Sequence, residues 1–274
     1  MGSEEEFKIE MGASGSLTKI YHNKPYPTIS PFRPELSSKG KNVVVTGGGT
    51  GIGKAIAIAF AQSGAASVSI VGRREDRLVS ASKAIADAGV GDTRVLYRVA
   101  DLTDSSSTQA AFKSVADEVG KIHVLISNAG VLGKIGPVAS VNVDSVMKAF
   151  DLNVRSAFNA VQAFLPLAGN EPVIISTNSA AIHIPPIPGA IAYTASKLAA
   201  YKMFEYLAAE NPELRIVQIQ PGVVATEINE WMAEQDRDKD RREYYYCHKK
   251  QSRTRTVADQ FVSQLNFQDN SASG

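Results

Sequence analysis

The feature that most constrains this chain is an alternation. Six short runs rich in β-branched residues are separated by longer stretches with helical periodicity. Val43, Val44 and Val45 lead through a glycine-rich turn into a helical stretch at 53–63. Runs at 68–71, 94–99 and 122–126 precede helical stretches at 75–88, 105–119 and, after a loop, 144–167. The run 173–177 leads through a proline-rich loop to a helix at 193–210, and 214–219 is the sixth run. Such strand–helix repetition predicts an α/β fold with a parallel sheet covered on both faces. Right-handed crossovers leave a doubly wound, Rossmann-type sheet or a barrel. A barrel needs about eight strands, and six are visible, so the doubly wound sheet is expected.

The flanks differ from this core. Residues 1–40 carry Pro25, Pro27, Pro31 and Pro34 among Ser, Gly and charged residues, which excludes a long helix or a central strand there. They read as an arm, lying on the domain or loose in solvent. Residues 41–231 form the expected main domain. Residues 232–274 change character: 234–243 read EQDRDKDRRE, Tyr244, Tyr245 and Tyr246 follow, and the end is polar. The mixed signs of that run point to a solvated segment rather than a nucleic-acid patch, and a net charge of +1 gives no overall pull toward nucleic acid or anionic membrane. Glu4, Glu5 and Glu6 argue against a secretory signal, and no apolar run approaches the roughly 18 residues of a membrane span. Cys247 is the one cysteine; without a partner in the chain it forms no internal disulfide, which fits a reducing, cytoplasmic setting. The four histidines, His22, His123, His183 and His248, have no metal-ligand spacing, so no metal is expected.

The turn after the first strand reads Thr46, Gly47, Gly48, Gly49, Thr50, Gly51, Ile52, Gly53. Glycines there let the backbone turn tightly and approach a pyrophosphate, and the following helix offers N–H groups and a partial positive charge. Alone, the pattern also fits a plain strand-to-helix turn; its place after the first of six strands favours a nucleotide. About 20 residues on, a carboxylate would hold a ribose 2′-hydroxyl and a base would hold a 2′-phosphate. The chain has Gly72, Arg73 and Arg74 there. Guanidinium forks suit phosphate, which points to NADP(H) over NAD(H), although one of the two could simply begin the next helix.

Tyr193 and Lys197 stand four apart, on one face of a helix. A tyrosine titrates near 10, and a neighbouring ammonium lowers that value toward useful proton transfer. By itself the pair fits an ordinary amphipathic helix.

Taken together, these motifs resemble the short-chain dehydrogenase/reductase family over roughly residues 40–231. The phosphate loop matches that family's T-G-x-x-x-G-x-G form. Ser127, Asn128, Ala129 and Gly130 resemble its N-N-A-G with serine in first place. Asp101 and Leu102 resemble its adenine-contacting segment, and Asn153 its helix asparagine. Pro221, Gly222, Val224 and Thr226 fall in the segment resembling the one that wraps the nicotinamide. The arm, with His22, Pro25 to Pro27 and Pro34 to Leu36, is similar to fungal members, which implies a place in secondary metabolism.

The resemblance implies hydride transfer between NADP(H) and a small carbonyl or alcohol substrate. Tyr193 is then the proton donor or acceptor, Lys197 lowers its pKa and holds the nicotinamide ribose, and Asn153 keeps a water for proton relay. The family's serine usually lies about thirteen residues before the tyrosine, which here falls on Ala180. Aligning the strand instead selects Ser179, with one extra residue in the loop 183–189; Thr177 and Ser176 are alternatives. Family members pair the helices equivalent to 144–167 and the one from Tyr193 across subunits, which implies a homodimer or homotetramer. The stripe Val146, Phe150, Val154, Phe158 suits that, or could face the chain's own sheet. Members also continue past the sixth strand to a seventh, of which 232–274 give no sign. A truncated or altered product is therefore one expectation, and a catalytically impaired NADP(H)-binding protein without a substrate lid is the alternative function.

Overall fold

A computed structural model describes residues 26–222, 224, 226 and 227. Among them, six parallel strands form one sheet: β1 (Asn42–Thr46), β2 (Ser67–Gly72), β3 (Arg94–Val99), β4 (Ile122–Ser127), β5 (Ala168–Thr177) and β6 (Arg215–Ile219). Their order is β3-β2-β1-β4-β5-β6. This is the doubly wound, Rossmann-type sheet expected from the alternation. The chain winds outward from β1 to β3, then returns to place β4 on the other side of β1. That reversal opens a crevice beyond the carboxyl ends of the central strands, the place where such sheets bind ligands.

The central strands are nearly all apolar because both faces are covered. Val43, Val45, Val68, Ile70, Val124, Ile126, Val173 and Ile175 point to one side. They pack on α1 (Gly51–Gln62) and α2 (Glu75–Ala88) through Ile56, Phe60, Leu78 and Ile85. Val44, Val71, Leu125 and Ile174 point to the other. There they meet α3 (Ser105–Val119), α5 (Ser156–Phe164) and α6 (Ile191–Glu210) through Phe112, Phe164 and Phe204. The period of two along each strand produces this division. Each fully buried aromatic or aliphatic side chain adds about 1.5–3 kcal/mol.

The expected helix over 144–167 is one path with an irregular middle. α4 (Val143–Phe150) passes through a π turn, Asp151–Arg155, into α5, and ends in a 3-10 turn, Leu165–Leu167. A π turn widens the helix by one residue and occurs often at functional sites. Asn153 is in the middle of it.

Residues 26–40 lie on the domain. Two 3-10 turns, Pro27–Ile29 and Pro34–Leu36, bury Ile29 and Leu36, and Leu36 joins the α1–α2 core. The Ser38 N–H donates to the Ser63 carbonyl, and Ser63 Oγ donates to Ser38 Oγ at 2.7 Å. Of the two readings of the arm, docking holds for this part. Residues 1–25 and 228–274, with His22, Cys247, His248, Trp231 and the charged run, lie outside the described residues.

Candidate active site

The phosphate loop is a backbone device. Thr46 Oγ1, at the tip of β1, donates to the Ile126 carbonyl at 3.1 Å and accepts from the N–H groups of Asn128 and Ala129 at 3.0 and 3.1 Å. Asn128 Nδ2 donates to the Thr46 carbonyl at 3.1 Å. One threonine and one asparagine thus lock the tips of β1 and β4 together. Gly53 fits because nothing larger can: an added Cβ would lie 2.3 Å from the Gly47 carbonyl oxygen. Gly47 has φ +66°, and a Cβ there would lie 2.9 Å from Ala129 Cα.

α1 starts at Gly51, and its N-cap residue Thr50 makes no side-chain cap bond. The first-turn N–H groups, including those of Ile52 and Gly53, therefore point out of the helix end without a side-chain acceptor, and that donor set fits a pyrophosphate. Thr50 Oγ1 instead accepts from Arg74 Nη2 at 3.4 Å, which draws the guanidinium across the loop. Arg74 also pairs with Glu227 at 3.2 Å, as Arg77 does at 3.5 Å. Arg73 is exposed at the tip of β2. Asp101 is held ionised below its ordinary range by the Thr103 N–H and hydroxyl, with Arg73 adding attraction. Leu102 is buried and its carbonyl accepts from Asn159 at 2.8 Å. Pro221 and Gly222 follow β6, and Val224 is buried in the α1–α2 core. Thr226 comes to the phosphate loop, 3.2 Å from where a Cβ on Gly51 would stand.

The second half of the site lies between the tip of β5 and the start of α6. Lys197 is 8% exposed, and its Nζ donates to the Thr177 carbonyl at 2.9 Å. Burial pushes its ammonium down to about 8. Gly130 is needed beside it, since a Cβ there would meet Asn153 Oδ1 at 2.9 Å and Lys197 Nζ at 3.4 Å. Asn153 Oδ1 accepts from the Val131 N–H at 2.7 Å. Its Nδ2 donates to the Val131 carbonyl and to Ser196 Oγ at 2.9 and 2.8 Å. Ser196 Oγ in turn donates to the Tyr193 carbonyl at 2.9 Å. Both amide protons of Asn153 are therefore committed to protein. Its side chain clamps β4's exit loop to α6.

Tyr193 is half-buried. Burial raises its phenol above the ordinary value, and the neighbouring Ser179 hydroxyl offsets part of that rise. Ser179 is thus the serine that meets the tyrosine. Thr177 Oγ1 donates instead to Asn128 Oδ1 at 3.2 Å, and Ser176 is buried within β5. Ser196 and Asn178 escaped the sequence reading, although each adjoins a residue that was singled out. Among the described residues no group of three His, Cys, Asp or Glu side chains is placed to hold a metal ion. No described helix is long and apolar enough to cross a membrane.

A parallel doubly wound sheet, a glycine cradle at a helix start, and a serine–tyrosine–lysine cluster at the same crevice define a nucleotide-binding oxidoreductase class. Residues 41–237 match the short chain dehydrogenase family, and the chain belongs to that family. It is 33% identical over 218 residues to Short chain dehydrogenase tazN of Aspergillus terreus, covering 77% of this chain and 47% of that one; the chain thus spans about half of that relative's length. It is 33% identical over 215 residues to Short chain dehydrogenase mpl6 of Monascus purpureus, covering 76% and 72%. A solved short chain dehydrogenase from Burkholderia cenocepacia in complex with NADP superposes with a TM-score of 0.71 at 26% identity, covering 84% of this chain and 91% of that one.

Proposed function

We propose that this protein is an NADP(H)-dependent carbonyl reductase or alcohol dehydrogenase acting on a small molecule of fungal secondary metabolism. The observation that carries the reading is the placement of Ser179 beside Tyr193, in the cleft where Lys197 is buried and bonded to the Thr177 carbonyl. The dinucleotide supplies or accepts the hydride when bound. Residues 46–53 and 128–130 hold its phosphates and ribose, and Lys197 reaches the nicotinamide ribose. Ser179 stabilises charge on the substrate oxygen, and Tyr193 moves the proton there. Arg73 and Arg74 favour a 2′-phosphate, in line with the NADP-bound Burkholderia relative. The similarity to short chain dehydrogenases of Aspergillus terreus and Monascus purpureus supports the fungal part of that reading.

We further propose a homodimer or homotetramer in the cytoplasm. Of the stripe, Val146, Phe150 and Val154 are half-buried and Phe158 is exposed. Ala157 and Ala160 pack with the sheet, while Phe158 is 46% and Met147 53% exposed. An apolar stripe on that side suits a second copy.

The test is a fluorescence titration with NADPH and NADH, followed by NADPH consumption against a panel of ketones. Tighter NADPH binding with turnover of some ketone is expected. NADPH binding without turnover of any panel member or alcohol would leave a binding protein and overturn the catalytic reading.

A further inference from the structure

The tip of β5 poses a problem that the catalytic residues themselves do not solve. β5 pairs with β6 as far as Thr177 and Ile219, and the Asn178 N–H adds one bond, to the Ile219 carbonyl at 2.8 Å. Ser179 is the first residue past that ladder. Its position relative to Tyr193, which rides on α6, must be set by something other than strand pairing.

Asn178 is buried and makes bonds in two directions. Its Oδ1 accepts from the Ser179 N–H at 2.9 Å. Its Nδ2 donates to Gln218 Oε1 on β6 at 3.0 Å. Gln218 Nε2 then donates to the Tyr201 carbonyl at 3.2 Å. Tyr201 lies on α6, eight residues after Tyr193. The line Ser179–Asn178–Gln218–Tyr201 therefore joins the tip of β5, the strand β6 and the helix of Tyr193 and Lys197.

We propose that Asn178, braced by Gln218, is a positioning residue that fixes Ser179 against Tyr193. This rests on the reading of Ser179 and Tyr193 given above. The link requires a side chain with one acceptor and one donor on a short stem, and a carboxamide supplies both. A serine hydroxyl is shorter and a carboxylate lacks the donor. Each member is satisfied by the next, so the chain resists rotation of any one amide. The far side of Ser179 is fastened too: its Oγ accepts from the Ala181 N–H at 3.3 Å. That bond holds the hydroxyl to the following 3-10 turn, Ala180–Ile182, and leaves the backbone of Ser179 to Asn178. Removing Asn178 frees the Ser179 N–H and strands Gln218 Oε1, but touches neither the phosphate loop nor Lys197.

The experiment compares Asn178→Ala, Gln218→Met, their double variant and Ser179→Ala. The first readout is the ionisation of Tyr193, followed by NMR of protein carrying tyrosine labelled at 13Cζ. It needs no turnover, so it stands even if the enzyme reading fails on the ketone panel. Ser179→Ala raises the Tyr193 pKa, and Asn178→Ala raises it in the same direction by a smaller amount. The second readout separates kcat from NADPH Kd. Asn178→Ala lowers kcat on the order of 10–100-fold, the cost of a small misplacement near the reacting atoms, with NADPH Kd within about twofold. Gln218→Met gives a smaller loss, and the double variant is no worse than Asn178→Ala alone, as expected for two members of one brace. Should Asn178→Ala fail to fold, Gln218→Met carries the same test at the other end of the line. The proposal is overturned if Tyr193 titrates as in the wild type in the variants that fold, or if the two substitutions add in full.

Discussion

The two halves of the crevice are built by different means. At the phosphate loop the backbone is the instrument: glycines open space, Thr46 and Asn128 tie β1 to β4, and helix α1 presents its N–H groups. At the β5–α6 side the instruments are side chains. Ser179, Tyr193 and Lys197 are set by Asn153, Ser196, Asn178 and Gln218 through a run of hydrogen bonds. The difference teaches where each half is vulnerable. A methyl group breaks the first half by volume alone, whereas the second fails when a donor or acceptor is lost.

The largest expected effect is in the first half. Gly53→Ala forces a Cβ to within 2.3 Å of the Gly47 carbonyl oxygen, and backbone cannot give way cheaply. NADPH affinity should fall about a hundredfold, on the order of 3 kcal/mol. Isothermal titration of the variant measures this, and near-normal affinity would mean that the loop is not the rigid cradle described.

A pH experiment sharpens the contrast by probing the second half. Lys197 sits at about 8 in the folded protein and near 10.4 in the unfolded chain. Below pH 8 both states hold the proton. Between 8 and 10 the unfolded state binds more protons, so Lys197 makes stability rise with pH, by roughly 2–3 kcal/mol at pH 10. Tyr193, raised by burial, opposes this only above about pH 10, where the unfolded tyrosine loses its proton first. Urea unfolding of wild type and Lys197→Met at pH 7 and pH 10 should show this gain in the wild type alone. Parallel pH curves would contradict the buried ammonium.

The proposed preference for NADPH is tested at the two arginines. Arg73→Ala or Arg74→Ala should weaken NADPH by about 1.5–3 kcal/mol, as for charge-assisted bonds, and leave NADH nearly unchanged. Arg74 lies across Thr50 and should give the larger loss. Equal losses for both cofactors would break the assignment of a 2′-phosphate site.

The smallest effect lies away from both halves. Ser69 is fully buried in β2 and its Oγ is the one buried side-chain polar atom among the described residues without a partner. Ser69→Ala should stabilise the fold by about 1 kcal/mol without altering NADPH binding. A destabilised variant in urea unfolding would point to a partner for that hydroxyl.

This contrast also explains what could be read from the sequence. The sheet was legible because a doubly covered strand must be apolar throughout, as Val43 to Val45 and Ile174 to Ile175 are. The phosphate loop was legible because glycine is written plainly in a sequence and its reason is steric. The choice of Ser179 was legible only through strand alignment, since spacing alone pointed to Ala180. The π turn at Asn153 was not, because 151–155 have ordinary helical residues and the widening is decided by contacts with Val131 and Ser196. Nor was the link from Asn178 to Gln218, two polar residues forty positions apart that β5–β6 register brings face to face. The docking of Leu36 into the α1–α2 core was hidden by the surrounding prolines.

In the proposed function the Ser179–Tyr193–Lys197 cluster moves the proton that accompanies hydride transfer from NADPH. The most direct measurement is kcat for NADPH-dependent ketone reduction beside NADPH Kd, in wild type and in Tyr193→Phe. Losing only the phenol oxygen should lower kcat by about 100-fold or more, within the range general acid catalysis contributes, while NADPH Kd stays within about twofold. A phenylalanine variant that turns over at a near-normal rate would contradict the account.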